Sequence, residues 1–164
     1  MARRSLGDHL VSNSDDTRSK AEDRGSPLRR RTRSREIALQ ALYQLDLLGS
    51  EDQVLLDEFV RRSDDDFSVQ EFALNLVRGC WGRIVEIDQQ IESVAHNWEL
   101  RRMATVDRNI LRLAAHELLN VPDIPAKVSI NEAIDLAKKY STAESGAFVN
   151  GILDKIRATY VASK

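Results

Sequence analysis

From about Thr32 to Tyr160 the apolar residues recur every three or four positions. That period admits helices and little else. Prolines, which break helices, occur only at Pro27, Pro122 and Pro125, none of them inside a strong helical pattern. No run of alternating residues is bounded by turn pairs, so no hairpin is expected. The Asn150–Gly151 pair sits inside a 3.6-period run and is not read as a turn.

The stripes place the helices. Ile37, Ala38, Ala41, Leu42, Leu45 and Leu48 form one face over about Thr32–Leu48, and Gly49 is placed to terminate it. A second helix is expected over about Glu51–Arg62. A third starts near Ser68, with Glu71 at capping-box spacing, and carries Phe72, Leu76, Val77 and Cys80. Gly79 and Gly82 can kink or split it, and the pattern resumes from Ile84 to about Asn97. A further stripe (Val106, Ile110, Leu113, Ala114, Leu118) runs over about Thr105–Asn120. After the "VPDIP" turn another helix follows, started either by Pro125 as its first residue or by a Ser129–Glu132 cap. The last helix carries Phe148, Val149, Ile152, Leu153 and Ile156, with Ser141 and Glu144 at capping-box spacing. The expected fold is an all-α domain of six or seven short helices over residues 28–164. Residues 1–27, poor in apolar side chains, are expected to be a disordered extension.

Composition removes several functions. No apolar run approaches the ~20 residues that cross a bilayer, and the N-terminus lacks the apolar segment of a secretory signal. A cytoplasmic, membrane-free protein is expected. The one cysteine, Cys80, cannot form an internal disulfide. His9, His96 and His116 share no metal-ligand spacing with one another or with Cys80. "GAFVNG" has phosphate-loop glycine spacing, but Ile152 and Leu153 follow where a Lys-Ser/Thr pair is needed. Neither catalysis nor a metal or cofactor is expected.

Charge is where the chain is unusual. Its net charge is only −2, yet residues 1–35 hold ten Arg/Lys against five Asp/Glu. Arg29, Arg30, Arg31, Arg33 and Arg35 fall within seven positions, fused directly to an apolar stripe. Guanidinium groups match phosphate geometry and stack on bases, so nucleic acid is the natural partner. At about 100° per residue, Tyr43 lies off the apolar stripe, about 80° from Arg35 and about 60° from Gln40. A face carrying arginine, glutamine and an aromatic ring suits single-stranded RNA. The bland alternative is a solubilising basic segment, with Tyr43 packed on a neighbouring helix.

Three blocks carry a resemblance: "RRRTRSREIALQALYQLDL", "NWELRRMATVDRNILRLAAHELL" and "IPAKVSINEAIDLAKKYSTAESGAFVNGILDKI". Together they span about residues 29–157, and the chain resembles the NusB family of bacterial transcription antitermination factors. The resemblance implies a compact pair of small helical bundles and a binding function. It implies pairing with NusE, the ribosomal small-subunit protein, and joint binding of boxA RNA, notably in ribosomal RNA leaders. Other Nus factors and RNA polymerase join the larger complex.

Residue by residue, the family's basic motif falls on Arg29, Arg30, Arg31, Arg33 and Arg35, and its first-helix tyrosine on Tyr43. Its acidic and aromatic RNA-side positions fall on Glu144 and Phe148, and its acidic protein-partner position on Asp107. Asp107 also suits a helix N-terminus, and Phe148 also fits the core stripe. Glu144 stands where the family often has aspartate. The long N-terminal segment and the "STAESGA" turn depart from the family pattern.

The implied mechanism is composite recognition: arginines position the phosphates, other groups read bases, and a docked partner tightens binding by linkage. The −7 balance of residues 36–164 confines RNA to one edge. The rival readings are a non-catalytic scaffold and an accessory domain of the kind fused to ribosomal RNA methyltransferases. A homodimer formed through an exposed partner face stays open.

Overall fold

The structure, a computed structural model, describes residues 25–49 and 53–161. The expected extension, residues 1–27, therefore lies outside the described residues apart from its last three. Those three belong to the fold. Ser26 is extended and its hydroxyl accepts from the Arg29 N–H, and Pro27 opens the first helix, α1, Pro27–Leu48. α1 thus begins five residues before the expected Thr32. A serine cap followed by proline in the first turn is a strong helix start, and it outweighs the absence of apolar residues there. Gly49 ends α1 with φ 67°, its N–H returning to the Leu45 carbonyl, as expected of a left-handed cap.

α2 spans Gln53–Ser63 and α3 spans Phe67–Gly82. The α3 cap is Asp66, whose carboxylate accepts from the Ser68 N–H at 2.9 Å, rather than a Ser68–Glu71 box. α4 covers Ile84–Val94. A short 3-10 turn, Leu100–Arg102, leads into α5, Thr105–Asn120, whose bounds are those the stripe predicts. α6 is Ala126–Tyr140, with Pro125 in the cap position and Ser129 buried inside it, so neither expected start is the one used. α7 is Ala143–Ile156, capped by Thr142 rather than Ser141, and a wider π-type turn continues over Arg157–Val161. No strand occurs among the described residues.

α5 is the axis. It packs against α1 and α3 on one side and against α4, α6 and α7 on the other, joining two small bundles. Every residue from Asn109 to Leu118 is buried. A helix buried all round must satisfy its polar groups internally. Asn109 donates to Asp46 of α1 at 2.9 Å. Arg112 grips Asp88 of α4 with two bonds of 2.8 Å. Glu117 receives Arg35 of α1 and the Ser129 hydroxyl of α6. His116 faces Asn120 one turn on. Burial, with the Arg83 charge adding to it, pushes the His116 imidazole down to about 4, so it sits neutral in the core.

The expected role of Gly79 as a kink is not the one found. α3 runs straight through it to Gly82, and the break comes at Arg83. Gly79 instead lets α3 approach α5: a Cβ there would lie 2.6 Å from His116 Nε2. His116 is buried and cannot swing into solvent. Gly79→Ala is therefore expected to destabilise the fold by about 1–3 kcal/mol through overpacking, read as a lower urea midpoint with an unchanged slope.

Candidate nucleic-acid interface

Because α1 starts at Pro27, all five arginines are helical, and helical spacing separates them. Arg29 and Arg33 are four apart and share one side; Arg31 and Arg35 share a nearly opposite side. Arg30 lies between. It lines both a groove of ≈ 440 Å³ against α3 and a groove of ≈ 560 Å³ that also includes Arg29, Arg33 and Lys139. The cluster that looks like one basic patch in sequence thus presents arginines to two grooves.

Arg35 faces neither groove as an exposed cation. It is 3% exposed, and its Nε and Nη2 reach Glu117 at 3.0 and 2.8 Å. Glu132 lies 3.8 Å from its Nη1. The RNA contact expected of Arg35 has no accessible guanidinium to make it; Arg35 fixes the register of α1 on α5. Its i−4 neighbour Arg31 is exposed and lies over the Phe72 ring of α3, 3.8 Å from the centroid.

On the other side, Arg33 donates to the Ser63 carbonyl at 2.8 Å and lies 3.6 Å from Asp64, tying α1 to the end of α2. Next along α1, Glu36 accepts from Lys139 Nζ at 2.8 Å and from the Tyr140 hydroxyl at 2.9 Å. Burial alone would raise the Glu36 carboxyl, but those two bonds, together with the Lys139 and Arg33 charges, outweigh it and hold the group below its usual range. Thr32 donates to Glu132 at 2.9 Å. These contacts lock the N-terminal half of α1 beside α6, whose C-terminus hands directly to α7.

There the second half of the candidate interface lies. Trp98, Arg102, Asp107, Glu144 and Phe148 line a depression of ≈ 270 Å³. Trp98 is 54% exposed and meets Phe148 edge-on, centroids 5.4 Å apart. Phe148 is half-buried and serves the core and the depression together. Glu144 is exposed and makes no bond among the described residues. Asp107 Oδ2 accepts from the Ser145 hydroxyl at 3.1 Å, while its Oδ1 is buried with no partner among the described residues. Asp107, expected on a protein-partner face, and Glu144 and Phe148, expected on an RNA face, thus line one depression.

Tyr43 is 36% exposed with no hydrogen bond among the described residues. It lies one turn before Asp46, whose carboxylate holds Arg108 at 2.6 Å in the first turns of α5. Trp98 was not singled out from sequence. Its sequence signal is an aromatic ring beside Asn97, just before Arg101 and Arg102; in the structure Asn97 takes a left-handed φ of 69°. The arrangement offers cations, exposed rings and an unpaired carboxylate, the set that binds phosphates and stacks bases.

The NusB family model matches residues 32–158. The transcription antitermination protein NusB of Anaeromyxobacter sp. (strain Fw109-5) is 52% identical over 130 residues, covering 79% of this chain and 90% of that protein. A solved T. maritima NusB superposes with TM-score 0.71 at 41% identity, over 79% of this chain and 92% of that one. A crystal structure of antitermination factors NusB and NusE in complex with dsRNA superposes with TM-score 0.73 at 33% identity, over 80% and 98%. Among the described residues, no helix is long and apolar enough to cross a membrane.

Proposed function

Since the chain belongs to the NusB family, we propose that it is a transcription antitermination factor that binds boxA-type single-stranded RNA together with NusE in the cytoplasm. On this reading it supports transcription of ribosomal RNA operons, alongside other Nus factors and RNA polymerase, by binding and not by catalysis. One observation carries the proposal. A basic turn on α1 is joined through Glu36, Lys139 and Tyr140 to the start of α7, where Trp98, Glu144 and Phe148 line a depression. Arg29, Arg30, Arg31 and Arg33 attract the phosphates. Tyr43, Trp98 and Phe148 supply aromatic surface, and Glu144 accepts from a base edge. Arg35 holds the turn in place.

Asp107 shares the depression with the RNA-side groups, so a partner engaging it sits against the bound RNA. Shared ground of this kind is how a protein and an RNA tighten each other's binding. Fluorescence anisotropy with boxA-type and scrambled RNA, with and without NusE, tests the reading. The expected result is tighter binding of boxA-type RNA, strengthened by NusE. Trp98→Ala, at an exposed position, is expected to weaken it roughly ten-fold through one lost stack. Equal binding of both RNAs, unaffected by NusE, would favour the scaffold reading.

A further inference from the structure

We propose that the groove between the start of α1 and the outer face of α3 is a second base-binding subsite, one that takes a guanine of single-stranded RNA. It lies on the far side of α1 from the Glu36–Lys139–Tyr140 contacts. The inference rests on the RNA-binding reading above but assigns new residues: Glu71, Phe72 and Asn75 with Arg31.

Four observations converge. The groove, ≈ 440 Å³, is lined by Arg30, Arg31, Glu71, Phe72 and Asn75 among others, a volume within the usual range of small-ligand sites. Arg31 lies over a ring: its guanidinium carbon is 3.8 Å from the Phe72 centroid, while the buried Arg35 lies 5.6 Å from the same ring. One face of the Arg31 guanidinium is therefore taken by Phe72, and the other is open to stack a base, which leaves its N–H edge for a phosphate. The side chains of Glu71 and Asn75 are exposed, sit one turn apart on α3 and make no hydrogen bond or ion pair among the described residues. Arg30 stands on the same rim for a flanking phosphate.

The chemistry selects the base. A carboxylate only accepts hydrogen bonds. Guanine alone offers two adjacent donors, N1–H and the 2-amino group, on its Watson–Crick edge, so it alone can satisfy Glu71 with two bonds. The guanine must be unpaired, because that edge is hidden in a duplex.

The test is a cycle of protein and RNA changes on the full chain. Boxa-type RNA and the same RNA with guanine replaced by inosine, which lacks the 2-amino group, are titrated by anisotropy against wild type, Glu71→Gln and Asn75→Ala. The subsite predicts that inosine weakens wild-type binding roughly ten-fold, that Glu71→Gln weakens guanine RNA by a similar factor, and that the two losses do not multiply. Asn75→Ala should lose several-fold on guanine RNA. Both side chains are exposed, so melting temperatures should be unchanged. If Glu71→Gln and Asn75→Ala bind guanine RNA as wild type does, or if the inosine and protein effects multiply independently, the subsite is wrong and the antitermination reading stands. If wild type binds neither RNA, the RNA-binding reading itself falls, and the subsite with it.

Discussion

Arg35→Ala is expected to lower the unfolding free energy by roughly 3–5 kcal/mol, the largest stability loss of any single arginine in the cluster. The reason is what would be left behind. Glu117 is 2% exposed and receives three short contacts from Arg35. Without the guanidinium its carboxylate keeps only the Ser129 hydroxyl, deep between α1, α5 and α6. A buried, unpaired charge costs far more than the pair contributed. The double variant Arg35→Met with Glu117→Leu removes both charges and fills similar volume, and should recover most of the loss. Urea unfolding of the three proteins checks this. RNA titration of the double variant checks the other half: with Arg35 a positioning residue, that protein should bind RNA nearly as wild type does. An Arg35→Ala protein of wild-type stability that fails to bind RNA would reverse the assignment.

The second large effect concerns the four remaining arginines. Replacing Arg29, Arg30, Arg31 and Arg33 with alanine should leave the helical fold intact. The core of α1 begins at Ser34, and alanine is the best helix former. Arg33 would lose its bond to the Ser63 carbonyl and its ion pairs with Asp64 and Glu36, half-exposed contacts of small worth. RNA affinity, in contrast, should fall by roughly two to three orders of magnitude near 0.1 M salt, since each phosphate contact on a single strand releases about 0.7 counterion. Circular dichroism separates the outcomes: a variant that keeps its helicity and loses RNA supports the account, and one that loses both does not.

How much of this could be read beforehand varies along the chain. α5 was legible to the residue because its stripe is strong and the turn after it holds two prolines. The start of α1 was not. Its first turn carries no apolar residue, and only the Ser26–Pro27 pair marked it. The difference matters, because an arginine segment that only approaches a helix is one patch, whereas on a helix it divides between two grooves. Arg35 illustrates a further limit. Nothing local distinguishes it from Arg31, four residues earlier; its burial depends on Glu117, 82 positions away. Gly79 is similar, since its cause is the imidazole of His116 on another helix. Tyr43 was separable from the core by helical angle alone, whereas Phe148 serves the core and the depression at once. Trp98 lies in an irregular stretch where periodicity has no purchase.

The central claim is that four helix-borne arginines, and not five, bind the phosphates of boxA-type RNA. The salt dependence of that binding, for wild type and for the four-alanine variant, tests it most directly. The account predicts a log–log slope roughly 3 units shallower in the variant than in wild type. An unchanged slope would mean that the phosphates are held elsewhere and that the arginine turn is not the RNA-binding edge of this protein.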